Sequence, residues 1–230
     1  MRELLGVVMT TYNREEVAKQ TLLSLKRNLL YDEGRRFWVI ADDGSPDGYV
    51  DRLKAVLGDD EPVYVTNALR KGVGVSKNLA LKLAFEHTPV VFLTEDDWCL
   101  TEPVDARVFC DTLVSNPQVG MIRCGYLSTD ISAKLVGFNS MTYLQLDQGS
   151  GVYVYSGQCS FRSKVWVEKV GYHKEGVSPG EEELEMCQRY NATKNAPLIL
   201  WPGNMGFHFQ CSPFKNIGMD FSLNATQPEG

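Results

Sequence analysis

Apolar positions along the first hundred residues alternate between two periods. Residues 4–10 form a short valine-rich run. After a polar turn, residues 15–30 carry Val17, Leu22, Leu25 and Leu29 on one helical stripe. Residues 37–41 are the next apolar run, ending on the turn formers Asp42-Asp43-Gly44-Ser45-Pro46-Asp47-Gly48. The pattern predicts a helix over 49–57, a strand over 63–66, and a helix over 75–86 that buries Leu79, Leu83 and Ala84. A fully apolar strand over 90–93 stops at Thr94-Glu95-Asp96-Asp97. Strands without a polar face, alternating with helices, predict a parallel sheet covered on both sides. Ligands of such sheets bind beyond the carboxyl ends of the strands. The second half is less regular, with helices expected over 106–115, 164–170 and 181–190 and strand-like runs over 119–124, 151–156 and 198–201.

The polar clusters fall at those carboxyl ends. Tyr12 and Asn13 follow the first strand, Asp42 and Asp43 the second, Asn67 and Arg70 the third, and Glu95, Asp96 and Asp97 the fourth. Neighbouring carboxylates repel, and the run itself contains no cation. A hard divalent ion such as Mg2+ or Mn2+, bridging to a diphosphate, would relieve that repulsion. Taken alone, the triplet also fits a solvated turn capping a helix, and Asp42-Asp43 fits an ordinary Asp-Gly-Ser turn. Arg70-Lys71, with Gly72 and Gly74 permitting close backbone approach, offers charge for phosphate groups.

Composition narrows the classes. The 230 residues are 43% hydrophobic and 23% charged, ordinary for one globular α/β domain. A net charge of −6 argues against a nucleic-acid partner, although a local basic strip stays open. No run approaches the roughly 20 apolar residues of a membrane helix, and the N-terminus lacks a signal-peptide pattern, so the expected location is cytoplasmic. Six scattered cysteines without a CxxC pair predict core thiols instead of a zinc site.

Four segments in order resemble the motifs of the family 2 glycosyltransferases: Val7-Val8-Met9-Thr10-Thr11-Tyr12-Asn13-Arg14, Ile40-Ala41-Asp42-Asp43-Gly44-Ser45, Asn67 with Arg70-Lys71-Gly72 and Ser76-Lys77-Asn78, and Phe92-Leu93-Thr94-Glu95-Asp96-Asp97. The resemblance implies a single GT-A (Rossmann-like) domain over 1–230. Its nucleotide-sugar half would be 1–100, and its mixed acceptor and catalytic-base half 101–230. It further implies that Thr10, Tyr12, Arg14, Asp42, Asp43, Arg70, Lys77 and Asp96 serve the donor, commonly a UDP-sugar. Asp97 and Glu95 would hold Mn2+ or Mg2+, with Glu95 standing where the family's first DxD aspartate usually stands. Tyr155-Ser156-Gly157-Gln158 resembles the acceptor-side segment, to which Trp98 is added as a sugar-stacking candidate. Glu182-Glu183-Leu184-Glu185-Met186 resembles the segment whose second acid is the general base, giving Glu183, or Glu182 in the alternative register. His208 stands where relatives place a histidine that reaches the metal or pyrophosphate, but a histidine between Phe207 and Phe209 suits a core equally well.

The implied activity is metal-assisted, inverting transfer from a nucleoside-diphosphate sugar to a hydroxyl acceptor, a glycan before a base in DNA. A nucleotidyltransferase is the alternative enzyme class, but Thr10-Thr11-Tyr12-Asn13-Arg14 lacks the glycine-rich loop such enzymes carry. A non-catalytic nucleotide-sugar module is the other alternative, kept open by the two Asp-to-Glu departures. Donor sugar and oligomeric state stay open.

Overall fold

A computed structural model describes residues 3–59, 61–127, 130–151, 153–202 and 213–217. In chain order the elements are β1 (Leu5–Thr11), α1 (Glu15–Asn28), β2 (Leu29–Leu30), β3 (Arg36–Asp42), α2 (Tyr49–Leu57), β4 (Val63–Asn67) and α3 (Val73–His87). There follow β5 (Val90–Glu95), β6 (Trp98–Leu100), β7 (Val104–Asp105), α4 (Ala106–Ser115), β8 (Val119–Arg123), β9 (Ala133–Phe138) and β10 (Met141–Leu146). The chain continues through β11 (Ser160–Ser163), α5 (Lys164–Lys169), α6 (Pro179–Ala192), β12 (Leu198–Trp201) and β13 (Phe214–Asn216).

One nine-stranded sheet runs β4-β3-β1-β5-β11-β8-β12-β10-β9. β4, β3, β1 and β5 are parallel, as their apolar runs imply, and β1 is buried along its whole length. α1 covers the sheet with Val17, Ala18, Leu22 and Leu25. It carries acids in its first turn and Lys26 and Arg27 in its last, matching its dipole. β11 pairs antiparallel with both β5 and β8, so the sheet becomes mixed where the second half of the chain joins it. Register places the site: Thr11 lies opposite Asp42, Asp42 opposite Asn67, and Thr10 opposite Glu95. The polar strand ends therefore share one edge of the sheet.

Three expectations need correction. α3 does not bury Leu79, which is 37% exposed, and Leu83 is only partly buried; its covered face holds Ser76, Lys77, Asn78, Ala80, Leu81, Ala84 and Phe85. That face is polar at its start because it meets polar partners: Ser76 Oγ donates to the Ala41 carbonyl at 3.0 Å, and Asn78 grips the backbone of His173. Of the strand expected over 151–156, the described residues are turns and bends, and the paired strand comes later as Ser160–Ser163. The hairpin of β9 and β10 was not foreseen. It turns on Asn139 and Ser140, both with positive φ, without the Asn-Gly signal that marks such turns in a sequence.

No helix among the described residues is long and apolar enough to cross a membrane. Of the cysteines, Cys110, Cys124, Cys159 and Cys187 are buried free thiols and Cys99 is half-buried; Cys211 lies outside the described residues.

Candidate active site

Two adjoining recesses open at the carboxyl ends of the parallel strands. The first, about 270 Å³, is lined by Thr10, Thr11, Tyr12, Arg14, Asp43, Ser76, Glu95 and Asp96. The second, about 240 Å³, is lined by Lys77, Glu95, Trp98, Gly157, Gln158, Glu182 and Glu183. Glu95 and Pro179 belong to both, so the recesses meet at the end of β5 and the start of α6.

The two aspartates after β3 differ in what they face. Asp42 is buried and its oxygens are occupied: they accept from Gly44 N (3.1 Å), Ser45 N (3.0 Å), Ser45 Oγ (2.5 Å) and Asn67 Nδ2 (3.3 Å). It holds its own turn together. Asp43 lines the first recess and accepts from Gly72 N at 3.1 Å, tying the loop after β4 to the end of β3. That loop brings the Arg70 guanidinium 5.8 Å from the centre of the exposed Tyr12 ring.

The acidic triplet is partly compensated by cations from elsewhere in the chain. Arg14 Nη1 lies 3.1 Å from Asp96 Oδ1, and Arg14 Nη2 lies 3.3 Å from Asp97 Oδ2. Lys77 Nζ lies 3.1 Å from Glu95 Oε1. Asp96 also accepts from Thr11 Oγ1 at 2.8 Å, and Thr11 bonds the Tyr49 hydroxyl. Burial pushes the Asp96 carboxyl up to about 6 despite Arg14. Burial and then the Glu95 charge push Asp97 up too, against a pull from Arg14 and a weaker one from Asn216. Asp97 Oδ1 is buried and accepts no hydrogen bond among the described residues. Among the described residues, no three His, Cys, Asp or Glu side chains form a ready-made metal cage.

Lys77, expected over the ribose and phosphates, is instead fully buried and faces the second recess. Its Nζ lies 3.1 Å from both Glu95 Oε1 and Glu182 Oε2. Burial alone would lower its pKa, but the two carboxylates outweigh it and hold Lys77 above its ordinary value. Glu182 is buried as well, with Oε1 bonded to His173 Nδ1. Burial would raise its pKa, but His173 and Lys77 bring it down to about 2. Glu183 is half-buried in the second recess and accepts from Gly157 N at 2.6 Å. α6 begins with a capping box between Ser178 and Glu181, with Pro179 at its start, which fixes the turn from which both glutamates project.

Trp98 lines the second recess but is buried, its ring centre 5.5 Å from that of Tyr126. Trp201 is core, donating to the Gly125 carbonyl at 3.0 Å. Gln158 Oε1 is buried without a hydrogen bond, over a Gly125 whose lack of a side chain makes room for it. His208 lies outside the described residues.

Sequence reasoning missed His173 and Thr11 as parts of this centre. His173 follows Val170-Gly171-Tyr172 and precedes the charged pair Lys174-Glu175, so no local pattern marks it as buried. Burial lowers its pKa to about 4, with Glu182 opposing. A neutral buried His173 must gain a proton on acidification. Its contribution is therefore complete above its ordinary 6.5 and is lost as pH falls through about 4. Asp96, with its raised pKa, works the other way: its contribution is complete below 3.8 and is lost as pH rises through about 6. The comparison of native protein with His173→Gln isolates the histidine. Their difference in urea unfolding free energy should shrink by roughly 2–3 kcal/mol from pH 7 to 4.5; a constant difference would count against a neutral buried ring.

The start of α3 packs closely on the loop that carries His173. A Cβ on Gly74 would sit 2.2 Å from the Lys174 carbonyl oxygen. Gly74→Ala should lower stability by about 1–3 kcal/mol through backbone displacement, read as a lower urea midpoint.

The fold and its motifs define a glycosyltransferase domain. Residues 6–117 match the model of glycosyl transferase family 2. No curated protein is significantly similar over its sequence. Among solved structures, the mannosyltransferase PcManGT from Pyrobaculum calidifontis, in complex with GDP-Man and Mn2+, superposes with a TM-score of 0.58 and 16% identity. The match covers 89% of this chain and 59% of that one. S. aureus TarS superposes with a TM-score of 0.65 at 16% identity, over 87% of this chain and 35% of that one. TarS 1–349 in complex with UDP-GlcNAc gives 0.63 and 16%, over 87% and 56%. This chain thus spans between 35% and 59% of these solved chains, and at such identities the likeness is one of fold.

Proposed function

We propose that the chain transfers a glycosyl group, with inversion, from a nucleoside-diphosphate sugar to a hydroxyl of a glycan. The observation that carries this is the meeting of the two recesses at Glu95, with Asp43 and the Arg14 that pairs with Asp97 on one side and Glu183 on the other. In this reading Tyr12 and Arg70 cover the base, Asp43 accepts hydrogen bonds from its edge, and Thr10 and Arg14 line the path of the ribose and diphosphate. UDP is the nucleotide to try first, and GDP the second, since the solved relatives were captured with UDP-GlcNAc and GDP-Man.

Glu95 and Asp97 would hold a divalent cation, Mn2+ or Mg2+. Supporting this are the Oδ1 of Asp97, which accepts no hydrogen bond among the described residues, and the three consecutive carboxylates Glu95, Asp96 and Asp97, whose salt-bridge partners among the described residues are Arg14 and Lys77. Such an ion supplies positive charge against the departing diphosphate. In the second recess Glu183 takes the proton of the acceptor hydroxyl. The hydroxyl oxygen bonds to the anomeric carbon from the face opposite the diphosphate, and the bond to the diphosphate oxygen breaks. Glu183 fits the base role better than Glu182, whose two oxygens are already bound by His173 and Lys77.

Calorimetry with UDP, GDP, CDP and ADP, with and without Mn2+, tests the donor side. Metal-dependent UDP binding by the native protein, abolished in Asp97→Asn, is the expected result. A folded protein that binds none of the four would overturn the reading, and binding without turnover on any acceptor would identify a non-catalytic module.

A further inference from the structure

We infer that His173 and Lys77 are positioning residues for the transfer step, acting through Glu182 so that Glu183 alone of the pair meets the acceptor. This rests on the transferase reading above. Consecutive glutamates on a helix point about 100° apart, so a rotation of α6 of that order would exchange their roles. The bonds on Glu182 oppose that rotation from two directions. Lys77 Nζ holds Oε2 at 3.1 Å, and His173 Nδ1 holds Oε1.

The histidine is itself held at three points. Arg162 Nη1 lies 3.0 Å from His173 Nε2. A guanidinium only donates, so Nε2 accepts and Nδ1 carries the proton that goes to Glu182. Asn78 grips the backbone, accepting from His173 N at 2.8 Å and donating to its carbonyl at 2.9 Å. Arg162 is anchored in turn by Ser160 Oγ at 2.9 Å and Tyr155 Oη at 3.1 Å. Arg162, His173, Glu182 and Lys77 are all buried, and Lys77 ends the chain of contacts on Glu95, at the junction of the recesses. Glu183, by contrast, is held by the Gly157 amide. The arrangement fixes one carboxylate and presents the other.

His173→Leu and His173→Gln test this, with UDP release from UDP-GlcNAc and calorimetric UDP binding as readouts. Leucine can make neither ring contact, whereas glutamine offers an N–H to Glu182 and a carbonyl to Arg162. Turnover in His173→Leu should fall about tenfold to a hundredfold, with the KM for the donor changed by no more than about twofold. His173→Gln should recover most of that loss. Turnover unchanged in a folded leucine variant would overturn the proposal. So would a joint loss of turnover and donor affinity that glutamine does not relieve. Should the leucine variant not fold, Glu182→Gln, which keeps the side-chain volume, is read by the same split. A native protein that neither binds nor releases nucleotide overturns the transferase reading instead. In that case 15N chemical shifts of the His173 ring decide the contact: a neutral Nδ1–H tautomer at pH 7 supports it, and an Nε2–H or charged ring refutes it.

Discussion

Replacing Glu183 by glutamine is expected to lower turnover by about a hundredfold to ten-thousandfold while leaving nucleotide affinity within about twofold. The side chain keeps an oxygen to accept from Gly157 N, so the recess should hold its shape. What is lost is the capacity to take a proton from the acceptor. Glu182→Gln serves as the comparison, because that carboxylate is buried and already bonded to Lys77 and His173. Its turnover should exceed that of Glu183→Gln by at least about tenfold. Steady-state kinetics on both variants, with calorimetry on UDP, checks the ranking; the reverse order would make Glu182 the base.

The second large effect is on folding. Lys77→Met removes a buried ammonium from between Glu95 and Glu182 and leaves the wholly buried Glu182 with His173 as its remaining partner. Breaking a buried pair by deleting one side costs about 3–5 kcal/mol, far more than the pair contributes over an apolar replacement. Urea unfolding should show that loss. The double variant Lys77→Met with Glu182→Gln should regain part of it, because the stranded charge is gone. A loss below about 1 kcal/mol in the single variant would mean that Lys77 is not the buried partner the geometry describes.

The first half of the chain was legible because its central strands are apolar on both faces. β1, β3 and β5 could be bounded to within a residue or two, and the polar clusters had to fall at their carboxyl ends. The second half of the chain was less legible for a matching reason. β11 reads Ser-Phe-Arg-Ser, and its buried arginine and serines are satisfied by tertiary partners that no local period announces. The same holds for α3, where the leucines suggested the buried face but Ser76, Lys77 and Asn78 occupy it. Within the site, the sequence left Asp42 and Asp43 as equals and favoured Glu183, with Glu182 as the alternative register. Hydrogen bonding separates each pair, since Asp42 and Glu182 are consumed by neighbours while Asp43 and Glu183 line the recesses. For Glu182 that saturation comes from outside its own helix, from His173 nine positions away and Lys77 105 positions away.

β5 has consequences for the order of assembly. Its outer edge is closed by β11, whose residues are made some 65 positions later in synthesis. Until then the nascent chain holds a strand apolar on both faces with its hydrogen-bonding groups open along one side, the condition that invites pairing with another chain. The family match ends at residue 117, before that edge is capped. The segment that carries the family's signature therefore depends on residues beyond 117 to cover the open edge of β5.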